Sequence, residues 1–205
     1  SLICARFLTR DPAETIDTAF FARRIRRALE IRERLYDRPF YRLIHAESDG
    51  LPALIIDRYG DTVVVQANNV AMDRRIPMIL AALDEVLNPS AIVLRNDSTA
   101  RSYEGLEEVV KVVKGDVQGL IPLEENGATF FADLSEGQKT GWFFDQRDNR
   151  SFIADLCKGR TVVDFYTYAG GFGVLAAKRG AAHVTLVDRS ALSLSIAMKA
   201  AEANG

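Results

Sequence analysis

The sequence predicts an α/β chain in two parts, a compact α+β domain followed by the first half of a Rossmann-like domain. Three observations predict it. Residues 161–188 read TVVDFYTYAGGFGVLAAKRGAAHVTLVD: a β-branched strand, the turn Ala169-Gly170-Gly171-Phe172-Gly173, a helix-friendly run and a second strand closed by Asp188. That succession marks a β-α-β unit that holds a nucleotide-like ligand, because glycines admit close backbone approach and the final carboxylate can take a ribose diol. Upstream, several short strands surround a single helical pattern, which is the order of an α+β domain. Between the two parts lies a dense polar block behind three aromatics, Trp142-Phe143-Phe144-Asp145-Gln146-Arg147-Asp148-Asn149-Arg150.

Bulk properties bound the function. At 205 residues the chain holds one large domain or two small ones. A net charge of -2 argues against coating nucleic acid by bulk electrostatics and leaves room for a local basic patch. No apolar run approaches the roughly 20 residues of a membrane span. Cys4 and Cys157 lie far apart without metal-ligand spacing, so structural disulfides are not expected and a reducing cytoplasm is the default.

In order along the chain, residues 1–9 alternate weakly, as an edge strand would, until Asp11-Pro12 breaks them. Over 15–36 the apolar residues Ile16, Ala19, Phe20, Ile25, Leu29 and Leu35 recur at helical spacing, with Thr15 or Asp17 as the cap. Arg23, Arg24, Arg26, Arg27, Arg32 and Arg34 fill the other positions, giving a basic amphipathic helix. Its charged face reads as solvated or, more sharply, as a nucleic-acid-facing stripe. Strands follow at 41–46 and 53–57 around Ser48-Asp49-Gly50, and again at 61–67. A helix over 72–87 is expected to start nearer Ile76 because of Pro77, and 91–94 is a buried strand. His45 reads as a strand residue with no chemistry. Residues 96–126 are polar with one short strand at 109–113, and 128–134 is a strand after which the domain boundary is placed, giving domains 1–134 and 135–205. In the second domain Asp145 is expected to cap a helix whose apolar face is Phe152, Ile153, Leu156 and Cys157, ended by Gly159. Cys157 belongs to core packing on that face.

Two ligands compete for the glycine turn. Gly171, Gly173 and Ala176 fit the dinucleotide pattern G-x-G-x-x-A, with Asp188 near its ribose partner's place, so an NAD(P)-dependent oxidoreductase is one reading. S-adenosylmethionine (SAM) is the other. Asp164, at the end of the first strand, suits the ammonium of a methionine moiety and would sit poorly beside a pyrophosphate. The plain alternative is that Asp164 caps a turn. The stretch favours the methyl donor. A non-catalytic RNA-binding protein using the arginine helix is a third class.

Gln-Lys-Thr-Gly at 138–141, Asp-Gln-Arg-Asp-Asn-Arg at 145–150, Asp-Phe-Tyr-Thr-Tyr-Ala-Gly-Gly-Phe at 164–172 and Val-Thr-Leu-Val-Asp-Arg-Ser at 184–190 together resemble a bacterial methyltransferase family. The chain is similar to the SAM-dependent enzymes that form 5-methylcytosine in 23S ribosomal RNA, over its whole length. The resemblance implies a strand-strand-helix-strand-strand central domain and a class I (Rossmann-like) SAM-dependent methyltransferase domain, cut off at Gly205. It also implies an RNA-binding PUA domain before Ser1. Gln138, Phe143, Gln146 and Arg147 would wall the cofactor. Asp164, Tyr166 and Gly170 would cradle its methionine part, and Asp188 would bind the ribose with Arg189 and Ser190 on the adenine side. Methylating C5 of cytosine needs a nucleophile at C6, a cysteine thiolate in that family. Neither Cys4 nor Cys157 matches its position, so the thiolate is expected beyond Gly205 and the 205-residue piece is expected to be inactive. The expected partner is 23S ribosomal RNA. The open sheet edge of a half-domain would tend to pair with another chain, so a homodimer is a further expectation.

Overall fold

A computed structural model describes residues 5–205, which divide into two compact units, 5–117 and 118–205. The first unit opens with helix α1 (Thr18–Leu35). Asp17 is its N-cap, accepting from the Phe20 amide at 2.8 Å, which satisfies one of the donors a helix start leaves open. Phe20, Phe21, Ala22, Ile25 and Ala28 turn inward, while the expected core residue Leu35 is exposed. Strands β1 (Phe40–His45), β2 (Leu54–Tyr59), β3 (Thr62–Ala67), β4 (Ala91–Asn96) and β5 (Val109–Lys114) form one sheet in sequential order. All neighbours are antiparallel except β3 and β4, which are parallel and joined by α2 (Val70–Asp73) and α3 (Ile76–Val86). Pro77 sits in the first turn of α3, where its missing N–H costs nothing, and so the helical pattern breaks in two. Three strands therefore precede the helical crossover and two follow it. The core lies between the sheet and helices α1 and α3, built from residues such as Leu43, Ile56, Val63, Ile79 and Leu83.

The edge strand expected over residues 1–9 does not form where the chain is described, because residues 5–9 are irregular. Its first four positions, Cys4 included, lie outside the described residues.

The second unit begins earlier than composition suggests. Strand β6 (Leu120–Glu125), hidden in a polar stretch, pairs with β7 (Ala128–Asp133) through the turn Asn126-Gly127. Both turn residues have positive φ, 53° and 77°, as a two-residue hairpin requires. The hairpin belongs with the chain's last helix, because the Asn204 amide side chain donates to Thr129 O (2.7 Å) and accepts from Thr129 N (3.0 Å). The compact-unit boundary therefore falls at Val117/Gln118 rather than after Leu134. Helix α4 (Arg147–Leu156) starts one short 3-10 turn later than expected, with Gln146 at its N-cap position, so Asp145 does not cap it. Its buried residues are Arg150 and Ala154, with Cys157 at the C-cap also buried. Phe152, Ile153 and Leu156, the expected apolar face, are exposed. Strand β8 (Thr161–Phe165), helix α5 (Gly171–Lys178), parallel strand β9 (His183–Val187) and helix α6 (Ala191–Asn204) complete the unit. No helix among the described residues is long and apolar enough to cross a membrane.

Candidate functional site

The site forms where β8 and β9 end side by side. Register pairs Asp164 with Leu186 and Phe165 with Val187, so the carboxyl ends of both strands point the following loops to one edge. This is the edge at which parallel α/β sheets bind ligands. The first loop is tightly wound. Tyr166, Tyr168 and Gly170 all have positive φ (59°, 50° and 82°), a region that L side chains enter at a cost. Gly170 has no room for a side chain, since a Cβ there would lie 2.8 Å from Val174 Cγ2 and 3.0 Å from Ala197 Cβ.

Asp164 fastens this loop from below. Its Oδ2 accepts from Thr167 Oγ1 (2.6 Å) and from the Gly173 amide (2.9 Å) in the first turn of α5. Its other oxygen, Oδ1, makes no hydrogen bond among the described residues and stays available as an acceptor. The carboxylate has therefore taken one of the helix-start donors that a pyrophosphate would need, and its charge opposes a second anion there. Gly173 is explained by packing: a Cβ would meet Leu186 Cδ2 at 2.2 Å. Gly173 thus serves helix–strand contact, and the dinucleotide reading loses its support.

Asp188 follows β9 and is fixed at both oxygens. Oδ2 accepts from the Tyr168 amide (2.9 Å) and Oδ1 from the Ser190 amide (2.9 Å). These backbone donors, Ser190 first, hold the carboxyl below the usual carboxylate range. Each oxygen keeps a lone pair for a further donor, which is what a ribose diol supplies. Ser190 also caps α6, accepting from Ser193 N at 3.2 Å. Arg189 beside it is exposed.

The predicted wall is only partly assembled here. Gln138 is tied to the glycine loop by its backbone, whose N–H donates to Tyr168 Oη at 3.1 Å, and its side chain is exposed. Phe143 meets Tyr168 edge-on with centroids 5.7 Å apart, and carries the Lys139 ammonium over its face at 4.5 Å. Gln146 bonds locally, accepting from Asn149 Nδ2 at 3.0 Å. Arg147 turns the other way, into the unit's interior, where its Nε donates to Glu125 Oε2 at 3.3 Å. Tyr166 stands 88% exposed at the loop's crest.

Sequence reasoning missed a buried hub beneath the loop. Glu125, fully buried, accepts from Arg150 Nη1 (2.6 Å), Trp142 Nε1 (3.1 Å) and Arg147 Nε. The Arg150 guanidinium lies over the Trp142 ring at 4.3 Å and faces Phe172 at 5.6 Å. Its Nε, buried without a hydrogen bond, lies 2.5 Å from where a Gly171 Cβ would stand. Burial lowers the Arg150 pKa and Glu125 opposes that shift. The arginine pins the start of α5 from underneath, a role visible only once β6 is recognised. Tyr168 and Thr167 were missed as well, since their bonds depend on a backbone turn that no spacing announces. An apolar hollow between α5, β9 and α6, lined by Val174, Leu186, Leu194 and Met198 among others, carries no ionisable group and is not the candidate site.

Comparison with known proteins agrees with this chemistry. Residues 101–205 match the family model described as S-adenosylmethionine-dependent methyltransferase. A protein named ribosomal RNA large subunit methyltransferase I from Pseudoalteromonas atlantica is 40% identical over 207 residues, covering all of this chain and 52% of that one. Its namesake from Shewanella denitrificans is 42% identical over 209 residues, covering all of this chain and 53% of that one. This chain thus spans about half the length of the curated relatives it matches. Among solved structures, a candidate SAM-dependent methyltransferase from Streptococcus mutans superposes with a TM-score of 0.81 at 25% identity, over 93% of this chain and 50% of that one. A candidate methyltransferase complexed with SAH gives a TM-score of 0.80 at 24% identity, over the same shares of the two chains, and shares the fold. With the family model spanning just over half its length, this chain belongs to the SAM-dependent methyltransferase family.

Proposed function

We propose that the protein binds SAM at the β8–β9 edge and serves methyl transfer to large-subunit ribosomal RNA, at C5 of a cytosine in 23S RNA. The observation that carries the cofactor reading is the pair of carboxylates flanking the glycine loop, each already oriented by loop donors. Their chemistry fits the cofactor's two polar ends. Asp164 Oδ1 accepts from the methionyl ammonium, and Asp188 takes the ribose hydroxyls. Gly170 gives the loop its close approach, Tyr166 stands at its crest, and Gln138 and Phe143 border it from the preceding segment. Arg189 flanks the adenine side. Arg147 supports the site through Glu125 rather than by touching cofactor. Once bound, SAM supplies an electrophilic methyl group.

The RNA target is supported by the names of the relatives and by Arg27 and Arg34 of α1, which are exposed and carry no ion pair among the described residues. C5 attack requires a nucleophile at C6. The described thiol, Cys157, is buried behind α4 and unsuited to that task. Methyl transfer at C5 therefore calls for a thiolate other than Cys157.

Thermal unfolding separates the cofactor readings: SAH should raise the midpoint and NAD should not. Protection by NAD alone would sink the proposal. Labelled methyl transfer from SAM to 23S RNA, followed by nucleoside analysis, should place the label in 5-methylcytidine. Label in another nucleoside would overturn the base assignment and leave the cofactor reading standing.

A further inference from the structure

The geometry points to Tyr168 as a positioning residue that latches residues 137–143 onto the glycine loop and holds Asp188 in place for the ribose end of the ligand. This rests on the SAM reading above.

Tyr168 joins three separate pieces of chain. Its phenol donates to Gly141 O (3.1 Å) and accepts from the Gln138 amide (3.1 Å). Its own amide donates to Asp188 Oδ2 at 2.9 Å. Its ring receives Phe143 edge-on. The neighbouring glycine shows how closely the phenol is seated, since a Cβ on Gly137 would come 2.9 Å from Tyr168 Oη and 2.1 Å from Asp133 O.

The backbone makes the link directional. At φ 50° the Tyr168 amide faces Asp188 while its side chain faces 137–143. A tyrosine stays in that region only where its surroundings over-determine it. Here the phenol's two hydrogen bonds are part of those surroundings. Removing them frees the residue to relax toward negative φ, which turns the amide from Asp188. The effect on ligand is then indirect, passing from the phenol through the backbone to the carboxylate. Tyr168 need touch neither ligand nor reacting atoms.

The test compares the wild-type 205-residue chain with Y168F by amide NMR, titrating SAH, adenosine and methionine separately into the millimolar range. Y168F removes one oxygen, and preserved shifts in β6 and β7 establish that it folds. Expected are exchange of the Gln138 amide at least tenfold faster, and SAH and adenosine binding five- to twentyfold weaker, with methionine nearly unchanged. Equal SAH affinity in both proteins would overturn the positioning role and leave the SAM site intact. Equal losses for adenosine and methionine would also overturn it, as a general loosening of the fold. A wild-type chain with no response to SAH would remove the SAM reading and the positioning role together. F143L, which loosens the same latch from its other side, should reproduce the adenosine-selective loss; an unchanged adenosine affinity there would count against the latch.

Discussion

The Asp188 carboxylate couples the geometry of the glycine loop to stability. With its pKa depressed by the Ser190 and Tyr168 amides, it contributes stability that is present above the unfolded value of about 3.9 and lost as pH falls through the lower folded value. D188N keeps the shape and removes the titration. The stability gap between wild type and D188N should be widest at neutral pH and shrink below about pH 4. Urea unfolding followed through Trp142, the chain's single tryptophan, measures it, and a gap that stays constant from pH 7 to 3 would refute the account. Gly170 allows a sharper test. Alanine there meets both the positive-φ penalty and contacts at 2.8 and 3.0 Å, so G170A should cost about 3 kcal/mol. An unchanged urea midpoint would mean the loop relaxes freely. The placement of Asp164 and Asp188 at strand ends and of Gly170 in the turn was legible in the sequence, because strands and turns favour those residue types there. Tyr168 was not, since a phenol's reach depends on a backbone angle. The ion pair of Arg147 was not legible either, because its partner Glu125 lies 22 residues earlier on a strand that composition concealed.

Elements explain why that strand mattered. The β6–β7 hairpin was within reach of sequence reasoning through Asn126-Gly127, yet its flanks are too charged to show a clear period of two. Once formed, it brings Glu125 under the glycine loop, where one carboxylate accepts from two arginines and from the Trp142 indole. Removing one side of a buried ionic cluster leaves uncompensated charge, at about 3–5 kcal/mol. E125A should therefore unfold the second unit at clearly lower urea, with E125Q intermediate, while β1–β5 retain their exchange protection. Loss of protection across both units together would show that they do not unfold separately. The apolar periodicity of α4 was misread for a related reason. Helical spacing identifies a hydrophobic stripe without saying that anything covers it, and Phe152 and Leu156 remain 64% and 61% exposed. One face of the β8–β9 pair is similarly open at Val163 and Phe165. Contiguous apolar surface of this kind binds hydrophobic dyes and other chains. F165S should lower dye binding by the folded chain without shifting its urea midpoint downward; unchanged dye fluorescence would place the sticky surface elsewhere.

At the scale of the whole molecule, a net charge of -2 means that the proposed affinity for RNA would have to come from a local arrangement of cations. The arginine-rich α1 was readable as basic from sequence, but which arginines are free was not, because pairing depends on the tertiary neighbours of each. Arg23 is held by Glu14 at 2.8 Å, Arg26 by Glu85 at 2.8 Å and Arg32 by Asp49 through two hydrogen bonds at 2.6 and 2.9 Å. Arg24 donates to Leu8 O and lies over the Phe20 ring. Arg27 and Arg34 are exposed and carry no ion pair among the described residues. The electrostatic footprint therefore reduces to two positions, seven residues apart on one side of the helix, roughly 10 Å along its axis. Each phosphate neutralised by such a cation releases counterions and steepens the dependence of affinity on salt, by about 0.7 in the log–log slope for single-stranded RNA. R27A/R34A should lower that slope by about 1.4 and weaken RNA of any sequence alike. R26A, whose guanidinium is already matched by Glu85, should leave the slope nearly unchanged. Equal slope losses for R26A and the double variant would show that ion pairing within the fold does not decide which arginines meet RNA. No slope change in either would move the RNA surface off α1 altogether.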